Sequence, residues 1–160
     1  MSLKLIQSIT LASPGSFSFT VPGGYKDLLI LALLQGSSAD VLGMRLNGDS
    51  GNNYIYSLMG GNFSGVYNSA VPRDTYAHVG TTATQGGGAI CCVEISIQNY
   101  LSTVFNKSFR SAGTDNSGNK PFHAVGAWQP VTPAAITSIS LFGSSFNIYT
   151  GSTASLYAMK

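Results

Sequence analysis

Apolar residues recur at every second position along almost the whole chain, and no segment sustains a helical period. Phe17, Phe19 and Val21 alternate with Ser18 and Thr20, and Leu42, Met44 and Leu46 with Gly43 and Arg45. Val93, Ile95 and Ile97 repeat the spacing, as do Ile139 with Leu141, and Ala154 with Leu156 and Ala158. A period of two places alternate side chains on opposite faces of a strand, so each run reads as a strand with one buried face. Breaks fall at Pro22-Gly23-Gly24, at the long turn Asn47–Asn53, in Gly/Asn/Ser-rich stretches at 60–70 and 113–120, and at Gly86-Gly87-Gly88. Helix is confined at most to a turn around Pro133-Ala134-Ala135. The pattern gives nine to eleven short strands and no linker or repeat. It predicts an all-β fold made of one domain over residues 1–160, an antiparallel two-sheet β-sandwich with jelly-roll-like topology.

Leu28–Leu34 is apolar at every position. Seven residues followed by Gly36-Ser37-Ser38 suit a central strand buried on both faces better than a helix. The run is also far shorter than the roughly 20 residues of a membrane-spanning helix. Leu3, Leu5, Ile9 and Leu11 sit at strand spacing, so the first residues read as a strand and not as a signal peptide. No membrane partner is expected.

Only 9% of residues are charged, against roughly 25% in an average domain. The net charge of +2 is scattered, with no basic run, which argues against nucleic acid as a partner. With 44% hydrophobic residues the chain can bury a core, which excludes disorder. Few charges and many Ser, Thr and Asn make neighbouring chains easy to accept, so a homo-oligomer is expected, with a trimer favoured.

Residue types that carry chemistry are sparse. Cys91 and Cys92 are adjacent in an extended segment, so they point to opposite faces and read as two reduced residues. His78 and His123 are far apart, and Asp74 lies four residues before His78. A Ser-His-Asp set could be drawn from 22 serines, yet Gly61-Asn62-Phe63-Ser64-Gly65 lacks the spacing of a nucleophile elbow. Two distant histidines and two adjacent cysteines match no zinc spacing. Glu94 is the only glutamate and sits in a strand, as an edge or interface charge and not half of a paired-carboxylate site. The Asn47–Asn53 loop is rich in oxygen but holds one carboxylate, Asp49, and Leu58 stands where an EF-hand needs glutamate. It reads as a structural turn, with Asp49 bonding nearby backbone N–H groups and Asn-Gly tolerating positive φ. Arg45, on an apolar strand, is expected to meet a carboxylate or carbonyl cluster. Tyr54, Tyr56, Tyr67 and Tyr76 are the tyrosines expected at the surface. These readings predict no enzyme, no cofactor and no metal.

Several blocks of the chain resemble small structural proteins of tailed bacteriophages. Phe19-Thr-Val-Pro-Gly-Gly-Tyr25-Lys-Asp-Leu28 is similar to their extended turn into the first core strand. Arg45-Leu-Asn47-Gly48-Asp49-Ser-Gly51-Asn-Asn53-Tyr54 is similar to their Asn-Gly-Asp-x-Gly-x-Asn-Tyr signature. Ile97-Gln-Asn-Tyr100 with Thr103 and Lys107, Trp128 with Ala135–Ile139, and Gly151-Ser152 with Leu156–Lys160 look like later blocks of the family. Residues 60–90 show no match. The resemblance implies a virion component assembled in the host cytoplasm, with no catalytic residues to carry over. A capsid decoration (cement) protein that bridges shell subunits, with the major capsid protein as partner, is the favoured placement. No shaft repeat or anchor is seen between Leu3 and Met159, which favours decoration over the alternative, a tail-fibre or tail-tip receptor-binding protein using the 60–90 loops. A carbohydrate-binding lectin-like module is a further alternative.

Overall fold

The computed structural model describes residues 2–36, 41–62, 65–81, 83–84, 90–115, 120–145 and 147–160. Residues 113–115 and 120, expected as loop, are strand, while the Gly86–Gly88 break, residues 116–119 and the side chain of Tyr67 lie outside the described residues. Thirteen strands appear among them, more than the nine to eleven expected. They are β1 (Leu3–Thr10), β2 (Phe17–Thr20), β3 (Asp27–Gly36), β4 (Val41–Leu46), β5 (Tyr54–Asn62), β6 (Gly65–Asp74) and β7 (Ala77–Thr81). The series continues with β8 (Ala83–Thr84), β9 (Cys91–Ile97), β10 (Lys107–Asp115), β11 (Lys120–Trp128), β12 (Ser138–Gly143) and β13 (Thr153–Met159). The stretch read as a loop at 60–70 is instead the β5–β6 hairpin, in which Met59 pairs with Asn68 and Gly61 with Val66. Its polar residues stand on an edge strand, where the alternation that marks half-buried strands is lost. The Pro133–Ala135 segment is irregular, without a helical turn.

Two sheets form the sandwich. The larger runs β1-β13-β3-β9-β10-β11-β5-β6, with the short β8 added in parallel beside β3. The smaller runs β2-β12-β4-β7. The chain passes repeatedly between the layers, and apart from β8 all pairings are antiparallel. Phe17, Phe19, Leu42, Met44, Leu46, Ile139 and Leu141 of the small sheet meet Leu28, Ile30, Leu34, Ile95, Ile97, Phe109 and Leu156 of the large one in a single core.

Two glycines let the large sheet fit over that core. In the β10–β11 ladder Phe109 stands opposite Gly126, and Gly113 opposite Phe122. Each ring lies over the glycine across from it, in the space a Cβ would fill. An inward glycine therefore costs little packing here, because an aromatic neighbour covers it.

One expectation about the core is corrected. Leu28, Ile30, Ala32 and Leu34 are buried, but the outward face of the same strand is open, with Leu31 40% and Leu33 49% exposed. The continuous apolar run of β3 therefore marks an apolar outer face and not a strand covered on both sides. Four strands cannot cap eight, and those four lie on the inner side.

Candidate functional site

The signature loop builds a clasp between the layers. Leu46 ends β4, and Asn47 (φ 55°) with Gly48 (φ 68°) turns the chain in the left-handed region, where Asn and Gly are the residues of least strain. Asp49 Oδ1 accepts from the Gly51 N–H at 2.8 Å, an Asx-turn. Its Oδ2 accepts from Asn53 Nδ2 at 2.9 Å and from the indole Nε1–H of Trp128 at 2.6 Å. Trp128 ends β11 of the large sheet, so one carboxylate ties β4 of one layer to β11 of the other. Asn47 extends the clasp: its Nδ2 donates to the Ala135 carbonyl at 2.8 Å, and its Oδ1 accepts from Thr137 N–H at 2.8 Å. Gln129 N–H donates to the Asn53 carbonyl at 2.7 Å, closing the loop against β11.

The electrostatics agree with this geometry. Partial burial alone would raise the Asp49 carboxyl, but bonds from Trp128, Asn53 and Gly51, with the charge of Arg45, hold it below its ordinary value. Every one of those contacts presents a hydrogen to the carboxylate. An atom set of that kind satisfies an anion and repels a cation, which favours the turn over a calcium loop. Arg45 donates from Nε to the Thr75 carbonyl at 3.2 Å and lies 4.8 Å from the centre of the Phe142 ring. Its partners are thus a carbonyl and an aromatic face.

Tyr54 and Tyr56 are buried, contrary to the expectation that they lie at the surface, and Tyr76 is half-buried. Both buried rings point inward from β5 and carry their hydroxyls to partners. The Tyr54 hydroxyl accepts from Leu46 N–H at 2.9 Å and donates toward the Asp49 carbonyl at 3.2 Å. Burial pushes it up to about 12, and the nearby Asp49 charge adds to the rise while the Leu46 bond and the Arg45 charge oppose it. The Tyr56 hydroxyl donates to Asp74 Oδ2 at 2.7 Å, and burial with that carboxylate raises it as well. A tyrosine raised above its unfolded value contributes stability that is complete below pH 10 and lost as pH climbs through the folded value. Alkaline denaturation should therefore steepen between pH 10 and 12. In Tyr54→Phe the gap in stability from the parent should narrow over that window, as followed by circular dichroism. A gap that stays constant with pH would refute the assignment.

The block from Ile97 to Lys107 forms another clasp. Tyr100 is buried and its hydroxyl donates to the Pro22 carbonyl, while its own carbonyl accepts from Ile136 N–H at 2.9 Å. Lys107, from the same block, is buried too, although its charge would place it at the surface. Its Nζ donates to the carbonyls of Ser102 at 2.6 Å and Phe105 at 2.7 Å. Burial lowers its affinity for the proton. Ser102 Oγ accepts from Val104 and Phe105 N–H groups. The lysine thus holds a rigid loop that presents Val104 and Phe105 to solvent.

Of the residues weighed for catalysis, Asp74 and His78 both meet Tyr56, and His123 lies on the outer face of the large sheet. Asp74 is committed to Tyr56 and to the Thr75 N–H. His78, on β7 of the small sheet, packs edge-on against Tyr56 with centroids 6.1 Å apart. His123 lies on the outer face of β11, in the other layer. Cys91 is buried and Cys92 exposed, on opposite faces as expected, and neither is in a disulfide. Glu94 is on the outer face of β9, in the middle of the large sheet, so it is not an edge charge. Among the described residues no group of three His, Cys, Asp or Glu is placed to hold a metal ion, and no helix is long and apolar enough to cross a membrane.

What remains is surface. The outer face of the large sheet exposes Leu31, Leu33, Val125 (53%) and Met59 (59%), where an antiparallel sheet facing water ordinarily alternates to polar residues. A shallow depression of about 710 Å³ lies on it, lined by Leu31, Leu33, Glu94, Ala112, Pro121 and His123 among others. No family model matches this chain, and no curated protein matches it. Among solved structures, the chain is similar to the galectin LEC-6 of Caenorhabditis elegans, at 14% identity and a TM-score of 0.40, with 93% of this chain and 94% of that one covered.

Proposed function

We propose that this chain is a non-catalytic structural component of a bacteriophage virion, a capsid decoration protein that stabilises the head by bridging shell subunits. The observation that carries this reading is the distribution of apolar surface. Large side chains stand open on the sheet face and on the Lys107-braced loop, while Asp49, Tyr54, Tyr100 and Lys107 are spent on clasps inside the fold. Such a molecule acts by contact area. The resemblance of the Arg45–Tyr54 and Ile97–Lys107 blocks to phage structural proteins supplies the setting, and the major capsid protein is the partner that setting implies.

Each contact in such an assembly is modest, and many copies on one shell add up by avidity. With so few charges, attachment rests on desolvated apolar residues, so it persists in high salt, where a charge-driven contact weakens. Particles lacking the protein should assemble, then release DNA at a lower temperature than complete particles, and purified protein added back should restore the difference. Particles that keep full heat and osmotic resistance without it would defeat the proposal. Particles that fail only at host adsorption would move the protein to the tail tip.

A further inference from the structure

The middle seam of the eight-strand path runs between β9 and β10, with four strands on either side. Glu94 and Arg110 flank that seam on the outer face. Glu94 stands opposite Ala112 and Arg110 opposite Ser96, so the two charges sit diagonally across the midline. Both are exposed, and neither has an ion-pair partner among the described residues. The wings on either side carry exposed apolar residues, Leu31 and Leu33 on β3, Val125 on β11 and Met59 on β5, among neutral polar ones such as Ser155, Ser57 and His123.

We propose that a second copy of the chain closes this face, packed sheet to sheet about a two-fold axis that runs between the two sheets and parallel to them, above the midpoint of Glu94 and Arg110 and perpendicular to the line joining them. A rotation about that axis exchanges the two positions. Each Glu94 then lies over the partner's Arg110, and the depression around Glu94 receives that guanidinium. The line from Glu94 to Arg110 runs more along the strands than across them, so the same rotation lays each wing near its own counterpart, Leu31 by Leu31 and Val125 by Val125. A two-fold interface must be complementary to itself, and one opposite-sign pair straddling the midline of the face meets that condition. The area is sufficient as well. Eight strands spaced about 4.8 Å apart and about seven residues tall present on the order of 900 Å², against about 800 Å² per partner in a standard interface. This contact gives a dimer where the sequence suggested a trimer, and it leaves the loop bearing Val104 and Phe105 outside the interface.

Charge reversal on the purified protein tests it. Sedimentation at micromolar concentration should give the parent twice the chain mass of 16.7 kDa. Glu94→Arg sets arginine against arginine and should weaken the dimer at least tenfold, as Arg110→Glu should for glutamate, and the double reversal should restore it. All are exposed positions, so unchanged circular dichroism confirms that only association moved. Cys92, on the same face two residues from Glu94, should react slowly with a thiol reagent in the parent and quickly in Glu94→Arg. A monomeric parent, a trimer indifferent to reversal, or single variants that dissociate without rescue by the double would each overturn the proposal. Failure here is separable from failure of the virion reading: a monomer that still protects particles refutes only the dimer, and a dimer that particles do not need refutes only the decoration.

Discussion

Replacing Asp49 with alanine lowers the stability of the folded chain by about 3 kcal/mol, since bonds to a charged acceptor contribute about 1.5–3 kcal/mol each and three donors lose theirs together. The Gly51 and Asn53 groups are near solvent and recover bonds to water. The indole N–H of Trp128 does not, because that side chain is buried and the carboxylate is the indole's only hydrogen-bond partner among the described residues. A loss of that size lowers the melting temperature of a domain this long by roughly 6–12 °C. Trp128 is the one tryptophan, so its fluorescence reports the clasp directly. The pH dependence carries the same signature. The Asp49 carboxyl is held below its ordinary value of 3.8, so its contribution is complete above that pH and disappears as pH falls through the folded value. The difference between parent and Asp49→Ala should therefore close in acid. If the variant melts with the parent at pH 7, the carboxylate is not the clasp. If chelator lowers the parent's melting temperature and leaves the variant unmoved, the loop binds calcium after all.

Gly126→Ala should be at least as damaging, although it adds a single methyl. A Cβ at that position overlaps the Ile55 carbonyl oxygen and the Phe109 ring, and comes within 2.8 Å of the Tyr56 Cβ. A flexible side-chain tip could give way, but a carbonyl in the β5–β11 ladder cannot without parting the strands. Overpacking of this kind costs about 1–3 kcal/mol when side chains absorb it, and the ladder places Gly126→Ala at the upper end. Gly113→Ala meets the Cys92 carbonyl and the Phe122 ring and should behave alike. Gly24→Ala provides the contrast: nothing lies within 4 Å, and only its φ of 89° opposes the change. Thermal melts of the three variants should rank Gly24→Ala as the mildest. Equal melting temperatures would mean that the glycines serve only the backbone.

The alternation of Phe17, Phe19, Leu42, Met44, Leu46, Val93, Ile95 and Ile97 made the sandwich legible, because burial of one face imposes a period of two directly on the sequence. The Asn47–Asn53 turn was legible for a similar reason, since positive φ selects Asn and Gly locally. The inter-layer reach of Asp49 was not. Its partner Trp128 is 79 residues away, and nothing in either neighbourhood encodes that they meet. Lys107 escaped for the same reason: carbonyls hold it, and carbonyls leave no mark on side-chain sequence. The tyrosines misled because a phenol is amphipathic, so placement by polarity sends it outward while a hydroxyl with a partner can go in. The open face was visible in Leu28–Leu34 but ambiguous, for a strand apolar on both sides is either sandwiched or uncovered. Only the count of strands in each layer decides that.

The pairing of β1 with β13, which sets Leu3 opposite Met159, has a consequence for how the chain reaches this state. Among the described residues the first strand has no other neighbour in the large sheet, and β2 likewise pairs only with β12. Closing loops that long loses entropy before any contact rewards it, so folding is slow compared with helical domains of this size. During synthesis the opening strands wait, edges unpaired, until the last have left the ribosome. Over that interval the sparing use of charge that suits a contact surface leaves little to keep nascent chains apart. Yield of soluble protein should then depend on synthesis rate and temperature more than on the stability of the finished fold.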